Sequence, residues 1–184
     1  MIFAKDNKIP VLALNAPVEV TQKVAQGGLG ALSETERKQL PAQIAPPESS
    51  YLHRLRQIFM AHGHGSSDER FENFTLVQRI WDETMAANAV EFLQANPRYR
   101  LMIFAGAGHM SDHMGIPNDM ARAIPAQSIA TVTTSNVGDI QAGLFDYFIV
   151  NPPLALPPNG RLGAWFEPDV RGLKVSKLST GGGA

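Results

Sequence analysis

A short apolar run that passes directly into a glycine-rich loop constrains the fold of this chain most. Residues 99–105 read Tyr-Arg-Leu-Met-Ile-Phe-Ala, and Gly-Ala-Gly-His follows at residues 106–109. A brief apolar run bounded by glycine is typical of a strand buried on both faces in a parallel sheet. Because such strands end at a ligand cleft, we predict a functional site at this loop.

Other segments extend the same pattern. Residues 9–15 form a second apolar run, which predicts another buried strand. After the glycine loop, residues 118–123 predict a helix and residues 128–133 a strand, and this succession implies a right-handed parallel crossover. Residues 145–150 predict a further strand. The predicted fold class is therefore α/β, with a parallel sheet flanked by helices.

Helical periodicity and end signals predict four more helices. They cover residues 18–25, a short stretch opened by a Ser33–Glu36 capping box, a helix from Ser49 or Ser50 through Phe59, and a long helix over residues 74–95.

Composition limits the function classes. The chain has 184 residues, no cysteine and a formal net charge of -1. This length suits one main core, and the near-neutral charge argues against a nucleic-acid partner. The absence of cysteine excludes disulfides, thiolate metal sites and a cysteine nucleophile. No apolar run reaches the roughly 20 residues of a membrane helix.

His109 is the main candidate for chemistry. Gly106 and Gly108 allow tight backbone geometry and close approach of a ligand. The imidazole of His109 can serve as a general base, a metal ligand or a haem-iron ligand. A histidine that is hydrogen-bonded in a structural loop is the alternative.

The following residues add donors. His113 lies four positions after His109, but the flanking glycines argue against a helix here, so the spacing does not establish a two-histidine metal site. Met110 and Met114 suit a porphyrin wall or an axial position, although methionine also fills gaps in ordinary cores.

The long helix contributes polar side chains. Gln78 and Asp82 share a face with Trp81 and Met85, so they are either partnered core groups or cleft-lining groups. The neighbouring Glu83 points about 100° away and is predicted to be solvated.

Three segments together resemble the ChaN-like haem-binding family. They are Ala-Leu-Asn-Ala-Pro at residues 13–17, Gln-x-x-Trp-Asp-Glu-Thr-Met-Ala at residues 78–86, and the stretch from Gly-x-Gly-His at 106–109 to Gly-Ile-Pro at 115–117. The resemblance spans roughly residues 8–150.

The resemblance implies that residues 1–150 are the C-terminal part of an α/β domain with an inserted helical subdomain at residues 33–95. It also implies a larger superfamily with Tiki-type metalloproteases and erythromycin esterases, whose first Gly-Glu-x-His motif would precede residue 1. Family members carry a tyrosine after Gly-x-Gly-His, whereas this loop has Asp-His-Met at residues 112–114. Tyr51 is the alternative tyrosine.

The function implied by the resemblance is haem binding in bacterial iron acquisition, by a lipoprotein of the periplasm or outer membrane. The sequence leaves open whether the protein forms a homodimer. The candidate haem-site residues come from the loop and from two helices: Tyr51, Gln78, Asp82, Gly106, Gly108, His109, His113 and Met114, with His109 also the metal-ligand candidate. The alternative is a metal- or histidine-dependent hydrolase in which Asp82 orients His109.

The C-terminal part carries a second resemblance. Proline-rich residues 151–160 predict a linker. Residues 160–166 and 172–175 resemble the opening of a PDZ domain, which implies a truncated PDZ-like start at residues 161–184 and peptide C-termini as partners. An ordinary β-hairpin tail is the alternative.

His62 and His64 are predicted to lie in an exposed loop.

Overall fold

The computed structural model describes residues 2–61, 67–135, 140–150, 164–169 and 172–178. The linker predicted at residues 151–160 and both His62 and His64 lie outside these ranges. The chain divides into two compact units, Met1–Ile149 and Val150–Ala184.

The first unit is mainly helical. Its helices are α1 (Ile2–Asp6), α2 (Val18–Gly27), α3 (Glu34–Arg37), α4 (Ser49–Ala61), α5 (Asp68–Ala95) and α6 (Ile116–Ala123), with 3₁₀ turns at Leu29–Ala31, Ala107–His109 and Ser111–His113. The predicted helices are thus confirmed in type. The capping box is also confirmed, because the Ser33 side chain accepts from the Glu36 amide while Glu36 accepts from the Ser33 amide.

The long helix α5 begins earlier than the sequence predicts. Its first residue is Asp68 rather than residue 74, because the Ser67 side chain accepts a hydrogen bond from the Arg70 amide and caps the helix there. Asp68 and Glu69 also place negative charge in the first turn, which the helix dipole favours. The helix ends at Ala95 with Asn96 as its C-cap, as predicted from the following proline.

Helix α5 contributes to three hydrophobic clusters. One joins α2 to the first half of α5: Ala16, Val20, Val24, Leu40, Val77 and Ile80. A second joins the last half of α5 to α6: Met85, Ala86, Ala89, Val90, Ile116 and Met120. A third joins α4 to the start of α5: Tyr51, Leu55, Phe59 and Phe71. Because α5 packs on α2 and α6, residues 33–95 share their core with the flanking segments.

The parallel sheet of this unit is small. Strand β1 (Val132–Ser135) pairs with β2 (Tyr147–Val150) in parallel, and the Tyr147 amide donates to the Thr131 carbonyl at 3.1 Å. These strands correspond to the predicted runs at 128–133 and 145–150, shifted toward their C-terminal ends.

The strands predicted at residues 9–15 and 99–105 are wrong. Both segments run past the helices, but neither belongs to a sheet, because the peptide groups of residues 10–13 and 100–105 form no hydrogen bonds with any described residue. Only some of their apolar side chains are buried: Leu14, Leu101 and Ile103 pack against the α5–α6 cluster. Met102 and Phe104, which alternate with Leu101 and Ile103, are exposed to solvent.

The second unit contains one antiparallel pair. Strand β3 (Ala164–Asp169) runs against β4 (Gly172–Leu178), with Ala164 opposite Leu178 and an irregularity between Trp165 and Phe166. This pair agrees with the β-hairpin that the sequence offers as the alternative to a PDZ-like start. None of the helices that the structure describes is long and apolar enough to cross a membrane.

Candidate functional site

The candidate site is centred on a contact between the glycine loop and α5. The 3₁₀ turn Ala107–His109 brings Nδ1 of His109 to 2.6 Å from Oδ1 of Asp82. The Asp82 side chain is fully buried, whereas the His109 side chain keeps 20% of its surface exposed. Trp81 contacts the imidazole edge-to-face at 5.9 Å between ring centroids. The ring is therefore held in one orientation.

Tyr51 and Arg79 both contact Oδ2, the other carboxylate oxygen of Asp82. The Tyr51 hydroxyl donates to Oδ2 at 2.5 Å, and Nη1 of Arg79 lies 3.5 Å from the same atom. Both side chains are buried. Burial, followed by the negative charge of Asp82, raises the pKa of the Tyr51 phenol well above its ordinary value. Tyr51 is thus a neutral donor in the folded protein.

A network of buried ion pairs extends behind this contact. Nη2 of Arg79 lies 2.8 Å from Glu83 and 2.9 Å from Asp119, and Arg122 reaches the same two carboxylates at 2.7 and 3.2 Å. Glu83 also accepts from the Ala45 amide at 3.2 Å. The prediction that Glu83 is solvated is wrong, because Arg79 of the same helix and Arg122 of α6 both pair with its carboxylate.

The ionisable groups of this network shift one another's pKa values. Burial would lower the pKa of Arg79, but its hydrogen bond to Asp119 and the nearby carboxylates raise it above the ordinary value. Burial raises the pKa of Asp119 in spite of Arg79. Oδ2 of Asp119 is buried and has no hydrogen-bond partner among the residues that the structure describes. Arg79 thus connects Asp82 to the other two carboxylates of the network.

Gly115 is the glycine that the site requires. Its φ is 66° and its ψ is -125°, and a Cβ there would lie 2.6 Å from the His109 carbonyl oxygen and 3.0 Å from Oδ2 of Asp82. Gly106 has φ -60° and ordinary space around it, and a Cβ on Gly108 would meet nothing within 4 Å. The expectation that Gly106 and Gly108 supply the tight geometry is therefore wrong; Gly115 supplies it.

The other predicted site residues are more dispersed. Nε2 of His113 lies 3.2 Å from Asp146, and its side chain is half-exposed. His113 and Asp112 both have positive φ, near 55°, and this local backbone turns His113 toward Asp146. Met114 packs against the Tyr51 cluster. Gln78 is half-buried one helical turn before Asp82, and its side chain makes no hydrogen bond within the described residues.

A small pocket lies beside the network. It has a volume of about 200 Å³ and is lined by Tyr51, Arg79, Met114, Gly115 and Arg122, among others. Ligand pockets that enclose a drug-sized molecule measure about 300–1,000 Å³. This pocket therefore suits only part of a larger ligand. Across the described portion of the chain, no group of three or more His, Cys, Asp and Glu side chains is arranged to hold a metal ion.

Sequence reasoning missed the basic half of the site. Arg79 precedes Asp82 by three residues and Glu83 by four, and Arg122 follows Asp119 by three. These are the spacings at which helical side chains meet, so all three intrahelical pairs could be predicted from the sequence. The convergence of α5 and α6 could not.

Comparison with known proteins gives one match. A family model described as haem-binding uptake, Tiki superfamily, ChaN matches residues 1–120, which include the Asp82–His109 contact. No curated protein and no solved structure matches the chain significantly. The PDZ-like resemblance of the C-terminal part receives no support from these comparisons.

Proposed function

The chain belongs to the ChaN family of haem-binding uptake proteins in the Tiki superfamily, and from this premise we propose that it binds haem through the imidazole of His109. The observation that carries the proposal is the 2.6 Å contact between Nδ1 of His109 and the buried Asp82. A histidine that binds a metal commonly donates its other ring nitrogen to a carboxylate, which fixes the tautomer and the ring orientation. Nε2 of His109 is then the donor for iron.

The residues present fit haem better than a bare metal ion. Haem iron already has four porphyrin nitrogens and needs only one or two protein donors, so a single oriented imidazole is sufficient. Gly106 and Gly108 are exposed beside His109, and Gly108 leaves open space where a side chain would stand. Bound haem would supply an iron centre, and the loop would supply the His109 imidazole as a donor and an unobstructed approach.

We assign Tyr51 a supporting role. Ferric haem binds tyrosine as a phenolate, and the raised pKa of Tyr51 opposes that form. Its hydroxyl is also committed to Asp82. Tyr51 therefore helps to position Asp82. His113 faces Asp146, so it is less favoured than His109 as the iron ligand. The uptake role of the family extends the proposal to haem acquisition at the bacterial envelope.

A haemin titration tests this assignment. The purified wild-type protein is expected to shift and sharpen the Soret band and to saturate at one haemin per chain. His109→Ala should abolish or alter that spectrum, while the matched variant His113→Ala should leave it intact. No spectral change with wild-type protein would refute haem binding. Loss of the spectrum in His113→Ala alone would transfer the ligand role to His113.

The Asp82–His109 pair also favours a second candidate function. A histidine oriented by a buried carboxylate is a competent general base for hydrolysis. Metal analysis separates the two candidates. Stoichiometric zinc or manganese in purified protein that does not bind haemin would favour the hydrolase, and haemin binding without resident metal would favour the first proposal.

A further inference from the structure

An exposed apolar strip runs along one face of the chain toward His109. Residues 101–106 alternate between partly buried and exposed positions, which is the period of an extended chain. The odd-numbered side chains pack against the α5–α6 cluster and hold the segment in place. On the other face, Met102 and Phe104 are 77% and 89% exposed, and Gly106 continues the exposed positions. These three residues form the strip.

The strip ends at one edge of the His109 imidazole. Nδ1 of His109 faces the buried Asp82, so the edge formed by Cδ2 and Nε2 faces away from that carboxylate. A Cβ on Gly106 would lie 3.6 Å from Cδ2. Because Gly106 has φ -60° and ψ 140°, a backbone that any residue adopts, its glycine is not needed for the turn. Its effect is to leave the Cδ2–Nε2 edge uncovered on the side of the strip.

The spacing of the strip places an aromatic ring beside this edge. Side chains two residues apart on one face of an extended chain are roughly 7 Å apart. Phe104 is therefore one such step from Gly106, and Met102 is two steps away. No residue in the range 101–106 carries a charge. A phenyl ring and a thioether next to an imidazole suit a flat apolar ring, since both make favourable contacts with aromatic systems.

We propose that Met102 and Phe104 form the apolar wall against which the porphyrin ring lies when Nε2 of His109 binds haem iron. The proposal rests on the haem site proposed above, and it assigns the ring and the iron to different residues. The wall contacts the ring, so it should also bind a porphyrin that contains no metal. Binding would remove both exposed side chains from water, which favours association.

Serine substitutions test the wall. Phe104→Ser and Met102→Ser remove apolar surface from the ligand and not from the core, because both side chains are mainly exposed. Urea unfolding should therefore give midpoints close to that of the wild-type protein. Met60→Ser is the matched control. Met60 is 56% exposed, and it lies nine residues after Tyr51 in α4, about 14 Å along the helix axis.

The probes are haemin and protoporphyrin IX, which lacks iron. The Soret band follows haemin, and porphyrin fluorescence follows protoporphyrin IX. Phe104→Ser should raise the Kd for both probes by about tenfold or more, and Met102→Ser by up to about tenfold. Met60→Ser should bind both probes as the wild-type protein does. Wild-type protein that does not bind protoporphyrin IX, wall variants with unchanged affinity for it, or an equal loss in Met60→Ser would overturn the wall.

The two probes also separate this proposal from the assignment of the iron ligand. Protoporphyrin binding that depends on Phe104, together with a haemin spectrum that His109→Ala leaves unchanged, would support the wall and refute His109 as the ligand. A haemin spectrum that depends on His109, together with wild-type porphyrin affinity in both wall variants, would retain the ligand and refute the wall. A strip that another polypeptide covers instead would give this second result.

Discussion

Replacing Gly115 with alanine should destabilise the protein and disturb the His109 site together. The backbone there has φ 66° and ψ -125°, a region that residues with a Cβ occupy at a cost of about 1–3 kcal/mol. The new Cβ would also lie 2.6 Å from the His109 carbonyl oxygen, and overpacking of this kind costs about 1–3 kcal/mol. We expect a loss of about 3 kcal/mol in the free energy of unfolding.

Gly108→Ala is the matched control, because a Cβ at Gly108 meets nothing within 4 Å and its φ is not in the left-handed region. Urea unfolding followed by circular dichroism gives the free energy of both variants, and haemin titration reports the site. Gly115→Ala should be much less stable than Gly108→Ala, and it should bind haemin more weakly than the wild-type protein does. Equal unfolding free energies, within about 0.5 kcal/mol, would show that the geometry around Gly115 is not as constrained as described.

Two further predictions concern the buried network. Arg79→Ala leaves three carboxylates without their shared cation and should cost about 3–5 kcal/mol by urea unfolding. The control Arg56→Ala removes an exposed ion pair with Asp68 and a cation–π contact with Phe71, and should cost at most about 2 kcal/mol. Similar losses in the two variants would contradict the buried role of Arg79. The pKa of the Tyr51 phenol is raised in the folded state, so this phenol loses its proton at a lower pH in the unfolded protein than in the folded protein. The free energy of unfolding should therefore fall as the pH rises above the ordinary tyrosine pKa of about 10. Tyr51→Phe should flatten this alkaline decline, and an unchanged slope would count against the assignment.

The helices were largely predictable because their signals are local. Capping at Ser33, the apolar spacing of α4 and the proline after Asn96 each lie within a few residues of the boundary they mark. The start of α5 was misplaced because Ser67 follows a glycine- and histidine-rich stretch that does not resemble a helix entry. Local chemistry thus fixes the type of element more reliably than its limits.

The strands and the site depended on partners that lie far away in the chain. Residues 99–105 have the composition and the alternation of a strand, but a strand also needs hydrogen-bonding neighbours, which a single segment cannot specify. His109 and Asp82 were both identified as candidates, yet their contact spans 27 residues and follows from how the glycine loop meets α5. Glu83 was misjudged for the same reason, since Arg122 reaches it from α6.

Helix α5 links the candidate site to every hydrophobic cluster described in the first unit. Arg79, Asp82 and Glu83 lie in its middle, with one cluster on the preceding turns and another on the following turns. Local opening of the site would require unwinding a segment whose two ends are both anchored, so the opening free energy there approaches that of global unfolding. A ligand at His109 therefore meets a surface that is already organised, and most of the ordering entropy of the site is lost during folding rather than during binding.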